Sequence, residues 1–173
     1  MSLIFVTGIS GSGKSEVLKA LRSRGHEAHG TDEDGIAAFY DRTTGLIAGH
    51  PDRPEHRTPK WRAKHVWKVQ RDKVEKLADS AKDKPVFLCG SVENDNEVWD
   101  LFSKVVSLVI DEKTLRHRIT TRTNNNFGQN PHELKAILGW QKTAEQDYQR
   151  LGAEIIDATQ PVDKVVDDIL ALV

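Results

Sequence analysis

The residues best equipped for chemistry lie near the N-terminus. Gly8-Ile9-Ser10-Gly11-Ser12-Gly13-Lys14-Ser15 fits the spacing G-x-x-x-x-G-K-[ST] of a phosphate-binding loop. Glycines let the main chain take left-handed angles and approach a ligand closely. Successive N–H groups can then converge as an anion nest. The following helix adds a partial positive charge of roughly half a unit at its N-terminus. Gly8, Ser10, Gly11, Ser12, Gly13, Lys14, Ser15 and Glu16 are therefore expected to surround a nucleoside triphosphate. Lys14 would reach the β- and γ-phosphates, and the Ser15 hydroxyl would take a place on Mg²⁺. The plain alternative is a chance glycine-rich turn, which the apolar run before it and the helical pattern after it disfavour.

Further along, "TDEDG" carries Asp32 and Asp34 beyond a weak strand pattern. Alternate carboxylates at a strand end can face one site, and ligands of open α/β sheets bind beyond the carboxyl ends of the strands. Asp32 would bind Mg²⁺ directly or through water, and Asp34 would orient or deprotonate an acceptor hydroxyl. A solvated acidic turn is the bland reading. In "LRHRITTRTNNNFGQ", Arg118 and Arg122 are four apart and share a helix face before a polar loop. Phosphoryl transfer needs cations there, because charge spreads over the phosphoryl oxygens in the transition state. Arg116 is a weaker candidate, and an exposed basic face is the alternative for all three. Gly90 in "CGSVEN" would bring main chain near a substrate, and Glu93 would help with metal or water. Residues 157–161 would hold a base edge or merely form a turn. Among Arg42, Arg53, Arg57, Arg62 and Lys64, the two chosen as anion clamps are Arg57 and Arg62. Tyr40 and Trp61 could meet a ring, whereas Trp67 suits core packing.

These residues need a frame. Leu3–Thr7, Pro85–Cys89 and Val105–Ile110 read as buried strands, with weaker ones at Glu27–Gly30 and Ala153–Ile156. Helical spacing runs from Ser15 to Arg24, from Trp61 to about Lys82, from Lys113 to Arg122, onward from Pro131 and again from Pro161. Asn130-Pro131-His132-Glu133 has the residues of a helix start. Short helices are expected at Ile36–Asp41 and Glu97–Phe102. Strands alternating with helices imply an α/β fold with a five-stranded, mostly parallel sheet and helices on both faces. One domain of 173 residues is expected, with residues 35–67 as a mobile substrate-binding segment and 116–130 as a mobile lid. A net charge of −1 gives no reason to expect nucleic acid or an anionic membrane as partner. No run reaches membrane-spanning length, and the N-terminus lacks the basic region of a signal peptide. The single cysteine, Cys89, has no partner for a disulfide, which favours a cytoplasmic setting. Seven histidines show no metal-ligand spacing.

In this order the motifs resemble the adenylate-kinase-like group of small P-loop kinases, which includes nucleoside monophosphate, shikimate and gluconate kinases. "GISGSGKS" matches their phosphate loop. "TDEDG" is similar to the D-x-D of shikimate kinases. Leu115, Arg118, Ile119 and Arg122 match the L-x-x-R-I-x-x-R at the adenylate kinase lid, and "IIDATQPVDKVVDDIL" matches the usual last strand, base loop and helix. The D-G-F-P-R stretch of adenylate kinases and the triple glycine of shikimate kinases are absent. The resemblance implies a three-layer fold and a phosphotransferase using ATP and Mg²⁺ on a small-molecule acceptor, as a monomer or homodimer. Lys14, Asp34, Arg118 and Arg122 would be catalytic, with Arg118 also on the nucleotide. Asp32, Asp34, Arg57, Arg62 and Gly90 would meet the acceptor, and Ser15 and Asp32 the metal. The lid favours a nucleoside or nucleotide acceptor. The alternatives are a sugar-acid or shikimate-type hydroxyl kinase, or a nucleotide-dependent regulatory ATPase.

Overall fold

The computed structural model describes residues 2–51, 53–123 and 125–173. Met1 lies outside them, as do Asp52 of the expected acceptor segment and Asn124 of the expected lid. The chain opens with β1 (Leu3–Thr7), buried at every residue, and α1 (Lys14–Ser23). β2 (Glu27–Gly30) follows, then three strands of a separate sheet: β3 (Ala37–Asp41), β4 (Ile47–Ala48) and, after the short α2 (Pro59–Lys64), β5 (His65–Val69). The remaining elements are α3 (Arg71–Ser80), β6 (Val86–Cys89), β7 (Lys104–Val109), α4 (Glu112–Thr121), α5 (Pro131–Arg150), β8 (Glu154–Asp157) and α6 (Val162–Leu170).

The main sheet has five strands in the order β2-β6-β1-β7-β8, and every pairing in it is parallel. β1 therefore runs through the middle, with Phe5 opposite Leu88 on one side and Val105 on the other. Side chains alternate across the sheet, as strand geometry requires. Ile4 and Val6 pack with Val17, Leu18 and Leu21 of α1, Leu115 and Ile119 of α4, and Val165, Val166 and Ile169 of α6. Leu3 and Phe5 pack on the opposite face with Val74 and Ala78 of α3, Val69 of β5 and Val98. Two buried cores with a sheet between them make the three layers expected from the strand–helix alternation.

The small sheet, order β4-β3-β5, is antiparallel and corrects two expectations. Ile36–Asp41 is not helical: β3 pairs with β5, and Phe39 sits directly opposite Trp67. Trp61 to Lys82 is not one helix either. Thr58 caps α2 by accepting the Trp61 N–H at 3.2 Å, and the chain leaves the helix after Lys64. "HVWKV" then supplies the β-branched and aromatic residues that favour a pleated surface. Gln70 closes the connection by donating its N–H to Ile36 O at 3.0 Å, and α3 begins at Arg71. The expected helix near Glu97–Phe102 is two short 3-10 turns, Asp95–Glu97 and Trp99–Leu101. Asn130 and Pro131 do open α5, although no side chain caps it. No helix among the described residues is long and apolar enough to cross a membrane.

Candidate functional site

The phosphate loop spans the turn from β1 to α1, at the carboxyl edge of the central strand. Gly8 and Gly13 have φ of 141° and 105°, in the region that side chains disfavour. A Cβ at Gly8 would also press on Leu108 O of the neighbouring strand. No side chain caps the start of α1, so its first N–H groups are left to a ligand or water. Lys14 bends back over the loop, donating Nζ–H to Gly8 O at 2.7 Å and Ile9 O at 2.8 Å. Its enclosure lowers the ammonium pKa to about 8; Arg122 adds to the lowering, and Asp32 opposes it.

A cleft of about 1280 Å³ runs from this loop to the small sheet, the loop after α4, and α5. It is bordered by the whole loop from Gly8 to Glu16, by Asp32 and Glu33, and by Arg57, Arg62, Gly90, Arg118 and Arg122. Of the residues that the resemblance assigns to nucleotide, acceptor and metal, all but one border this cleft. The exception is Asp34, which corrects the acceptor role expected of it. Its carboxylate accepts from Arg22 at 2.6 Å and from the Gly30 N–H at 2.8 Å, on the outer side of the turn. The reason is local geometry. Residues 30–35 coil tightly, with the Asp34 N–H donating to Gly30 O at 3.1 Å. Consecutive side chains 32 and 33 therefore face the cleft together, and the alternation of a strand no longer applies. Glu33, absent from the expected set, accepts from Ser15 Oγ at 3.0 Å.

Asp32 accepts the Thr31 hydroxyl at 2.7 Å. Its carboxylate opens to the cleft yet has protein on most sides; this desolvation raises its pKa, while the Thr31 bond and Lys14 oppose the rise. Gly90 contributes through that contact. A side chain at position 90 would overlap Thr31 Oγ1, so the glycine lets Thr31 sit where it holds Asp32.

The lid arginines behave differently from each other. Arg118 ties the phosphate loop to the turn after β8, donating to Ser12 O at 3.1 Å and Ala158 O at 2.8 Å. Arg122 donates to Ser10 Oγ at 3.0 Å and to Phe127 O. Its Nε–H is buried and has no partner among the described residues, and desolvation lowers its pKa. Arg116 instead pairs with Glu112 on an exposed face. Glu16 borders the cleft but pairs with Lys19 at 2.8 Å.

The acceptor-side arginines also divide. Arg57 corrects the expectation of a clamp for a substrate anion. It is buried, donating to Glu133 Oε1 at 2.9 Å and Asn126 Oδ1 at 2.9 Å. Glu133, read from sequence as a helix-start residue, is fully buried and also accepts the Gly128 N–H at 2.9 Å. This ion pair fastens the chain before α2 to the first turn of α5. Arg62 has no such partner. Its guanidinium lies 4.8 Å from the Phe127 ring centroid and 5.5 Å from that of Trp140, and no described carboxylate is within ion-pair distance. Desolvation lowers its pKa. Glu93 is a clamp for the small sheet, accepting from Arg42 at 3.0 Å and from the Trp67 N–H at 2.8 Å. Arg53 and Tyr40 lie outside the cleft. Trp67 borders the cleft while packing on the core, and Trp61 packs against Phe39 and His65. Cys89 lies buried beside Lys14, and burial pushes its thiol up to about 12.

Sequence reading passed over Phe127, Trp140, Tyr148 and Asp95, which also border the cleft. Tyr148 links Asp95 Oδ2 at 3.1 Å to the Thr7 hydroxyl at 3.2 Å, just before the phosphate loop. Only helical spacing along α5 carries a trace of this, and that spacing looks the same for core residues.

The residues fit a nucleoside triphosphate with its metal. The enclosed Lys14 ammonium and the unpartnered Arg122 Nε both call for an anion. Ser15, Glu33 and Asp32 offer hard oxygens beside the loop, the donor type that Mg²⁺ prefers. Among the described residues no cluster of three or more His, Cys, Asp or Glu forms a metal cage.

A family model described as an AAA domain matches residues 4–138. A shikimate kinase from Acinetobacter baumannii, solved with shikimate, is similar over 99% of this chain and 92% of its own, with TM-score 0.65 and 19% identity. A shikimate kinase from Aquifex aeolicus is similar over 98% and 94%, with TM-score 0.58 and 19% identity. A gluconokinase from Sinorhizobium meliloti is similar over 98% and 90%, with TM-score 0.53 and 18% identity. A search of curated proteins found no match.

Proposed function

The chain belongs to the AAA domain family and has the fold of small-molecule P-loop kinases, and from that premise we propose that it transfers the γ-phosphoryl group of ATP to a hydroxyl of a small hydroxy acid. Arg62 carries this reading: it is a cation in the cleft with no carboxylate partner among the described residues. Shikimate and gluconate, named for the similar structures, are both hydroxylated carboxylates. They favour the sugar-acid or shikimate type of acceptor over the nucleoside or nucleotide expected from the lid.

In the reaction, the acceptor oxygen bonds to the γ-phosphorus and the bond from that phosphorus to the β-bridging oxygen breaks, so ADP leaves with the electron pair. The hydroxyl proton passes to Asp32, whose raised pKa brings it nearer to the working pH. Lys14 and the loop N–H groups hold the phosphates, while Arg118 and Arg122 lie against the transferred group. Ser15, with Glu33 and Asp32 beside it, would hold Mg²⁺, which would supply charge neutralisation. The lone buried thiol suits a cytoplasmic setting.

ATP consumption with shikimate, gluconate, nucleosides and nucleotides tests the reading. Stimulation by the hydroxy acids is expected. Stimulation by nucleosides or nucleotides alone would reverse the acceptor, and turnover that no acceptor stimulates would favour a regulatory ATPase. Lys14→Ala should weaken ATP binding by about 10- to 100-fold, the worth of a charge-assisted contact; intact binding would sink the nucleotide assignment.

A further inference from the structure

Resting on the kinase reading, we infer that Tyr148 is a positioning residue for the reaction: it anchors the entry of the phosphate loop through Thr7, with Asp95 accepting its hydroxyl hydrogen. Within the loop, three cations do the holding. Lys14 donates to Gly8 O and Ile9 O, Arg122 to Ser10 Oγ, and Arg118 to Ser12 O. On the proposed reading each of these cations also faces phosphate, and a charge-assisted bond to a phosphate oxygen is stronger than one to a neutral oxygen. A bound triphosphate would therefore draw all three away from the loop's own atoms. The hold on Thr7 is of another kind. Thr7 ends β1 and alternates onto the sheet face of Leu3 and Phe5, opposite the face that packs on α1. It is buried, with its hydroxyl 3.2 Å from that of Tyr148. Neither partner is a cation, so an arriving triphosphate does not compete for this bond.

Counting hydrogens fixes the direction of these bonds. A tyrosine hydroxyl has one hydrogen, and a carboxylate only accepts. Tyr148 therefore gives its hydrogen to Asp95 Oδ2 at 3.1 Å, and Thr7 is the donor to Tyr148. Desolvation, and after it the Asp95 charge, raise the Tyr148 pKa, so that hydrogen stays in place. The support behind the pair is firm. Asn94, next to Asp95, is buried and clasps β5, accepting the Val69 N–H at 3.0 Å and donating to Val69 O at 3.3 Å. The Tyr148 ring lies 17° from parallel with that of Trp99, at 6.4 Å. Tyr148 thus ties the end of the central strand to α5 and to the turn after β6, one residue before the chain swings to a φ of 141° at Gly8. A loop fixed at its entry keeps the γ-phosphorus in one place as the acceptor oxygen approaches. Small misplacements of reacting atoms slow a reaction far more than they weaken binding. Tyr148 moves no proton in the reaction; its part is to hold the loop still.

Two readouts test the anchor: amide hydrogen exchange of residues 8–13 in the complex with Mg²⁺ and ADP, and steady-state turnover. Tyr148→Phe removes one oxygen and no packing. It should speed exchange in the loop by about tenfold, the worth of a neutral hydrogen bond, and leave exchange in β7 and α3 unchanged. It should lower kcat by about tenfold, with ATP affinity and acceptor KM altered by less than about threefold. Thr7→Val should reproduce both effects, and Thr7→Ser, which keeps the hydroxyl, should recover most of the loss. The double variant Tyr148→Phe with Thr7→Val should be no worse than either single one, because both remove the same bond. Exchange in the loop that stays as in the parent would overturn the inference and reduce Tyr148 to a packing residue, even if Tm falls. Additive losses in the double variant would overturn it as well. If no acceptor stimulates ATP consumption by the parent, the kinase reading falls, and loop exchange by itself still decides whether Tyr148 anchors the loop.

Discussion

The two ends of the cleft grip by different means. The nucleotide end is largely main chain: glycine-rich loop, helix start, and a lysine and arginines fastened to backbone carbonyls. The acceptor end is almost wholly side chain, drawn from β3, α2, β5, the lid and α5. Main-chain donors are the same whatever the residue, so the first end suits a ligand common to many proteins. Side chains differ from one protein to the next, so on the proposed reading the second end would choose the substrate.

Four measurements sharpen or break this contrast. The largest effect is expected at Asp32, which lies where the ends meet. Asp32→Asn should lower kcat by about 10²- to 10⁴-fold, the range for a lost general base, with ATP affinity little changed. Equal loss of both would remove Asp32 as the base and leave it a role only in holding metal and nucleotide. Next comes the buried ion pair between Arg57 and Glu133. Arg57→Ala leaves Glu133 as a buried uncompensated charge and should cost about 3–5 kcal/mol in urea unfolding, whereas Arg57→Met with Glu133→Leu should recover most of it. A loss below about 1 kcal/mol would mean that the pair is open in solution.

The third measurement is a pH series. Lys14 has a folded pKa of about 8 against 10.5 for a free lysine. Below about pH 8 the buried ammonium opposes folding. Between there and 10.5 the unfolded chain holds a proton that the folded one has lost, so stability should rise with pH. Lys14→Met should flatten that rise and raise Tm at neutral pH. A Lys14→Met protein less stable than the parent at pH 7 would show that the ammonium is not desolvated. The smallest effect is expected at Asp34, whose ion pair with Arg22 is partly exposed. Asp34→Asn should change turnover by less than about threefold and stability by less than about 1 kcal/mol. A large fall in kcat would restore Asp34 to the reaction.

The same contrast explains what could be read in the sequence. The loop from Gly8 to Ser15 is contiguous, its chemistry is set by spacing, and the alternation around it implied the parallel sheet. Arg118 and Arg122 stand four residues apart, about one helical turn, so their shared face is legible in the sequence. The acceptor end has no such signature. Phe39 and Trp67 are neighbours only through pairing of β3 with β5, which the helical appearance of residues 61–82 concealed. Arg57 and Arg62 look alike in sequence. A glutamate 76 residues away occupies one and leaves the other. Asp34 was favoured over Glu33 by carrying strand alternation one turn too far.

Cys89 has a consequence beyond redox setting. It is the only thiol in the chain, 2% exposed, and held protonated beside the Lys14 ammonium at the floor of the cleft. Burial keeps a thiol reagent from it and keeps it from forming the reactive thiolate until the floor comes apart. The protein therefore carries a built-in clock for local opening. Labelling of the untouched chain, timed with and without ATP, would report how tightly a ligand closes the structure from beneath.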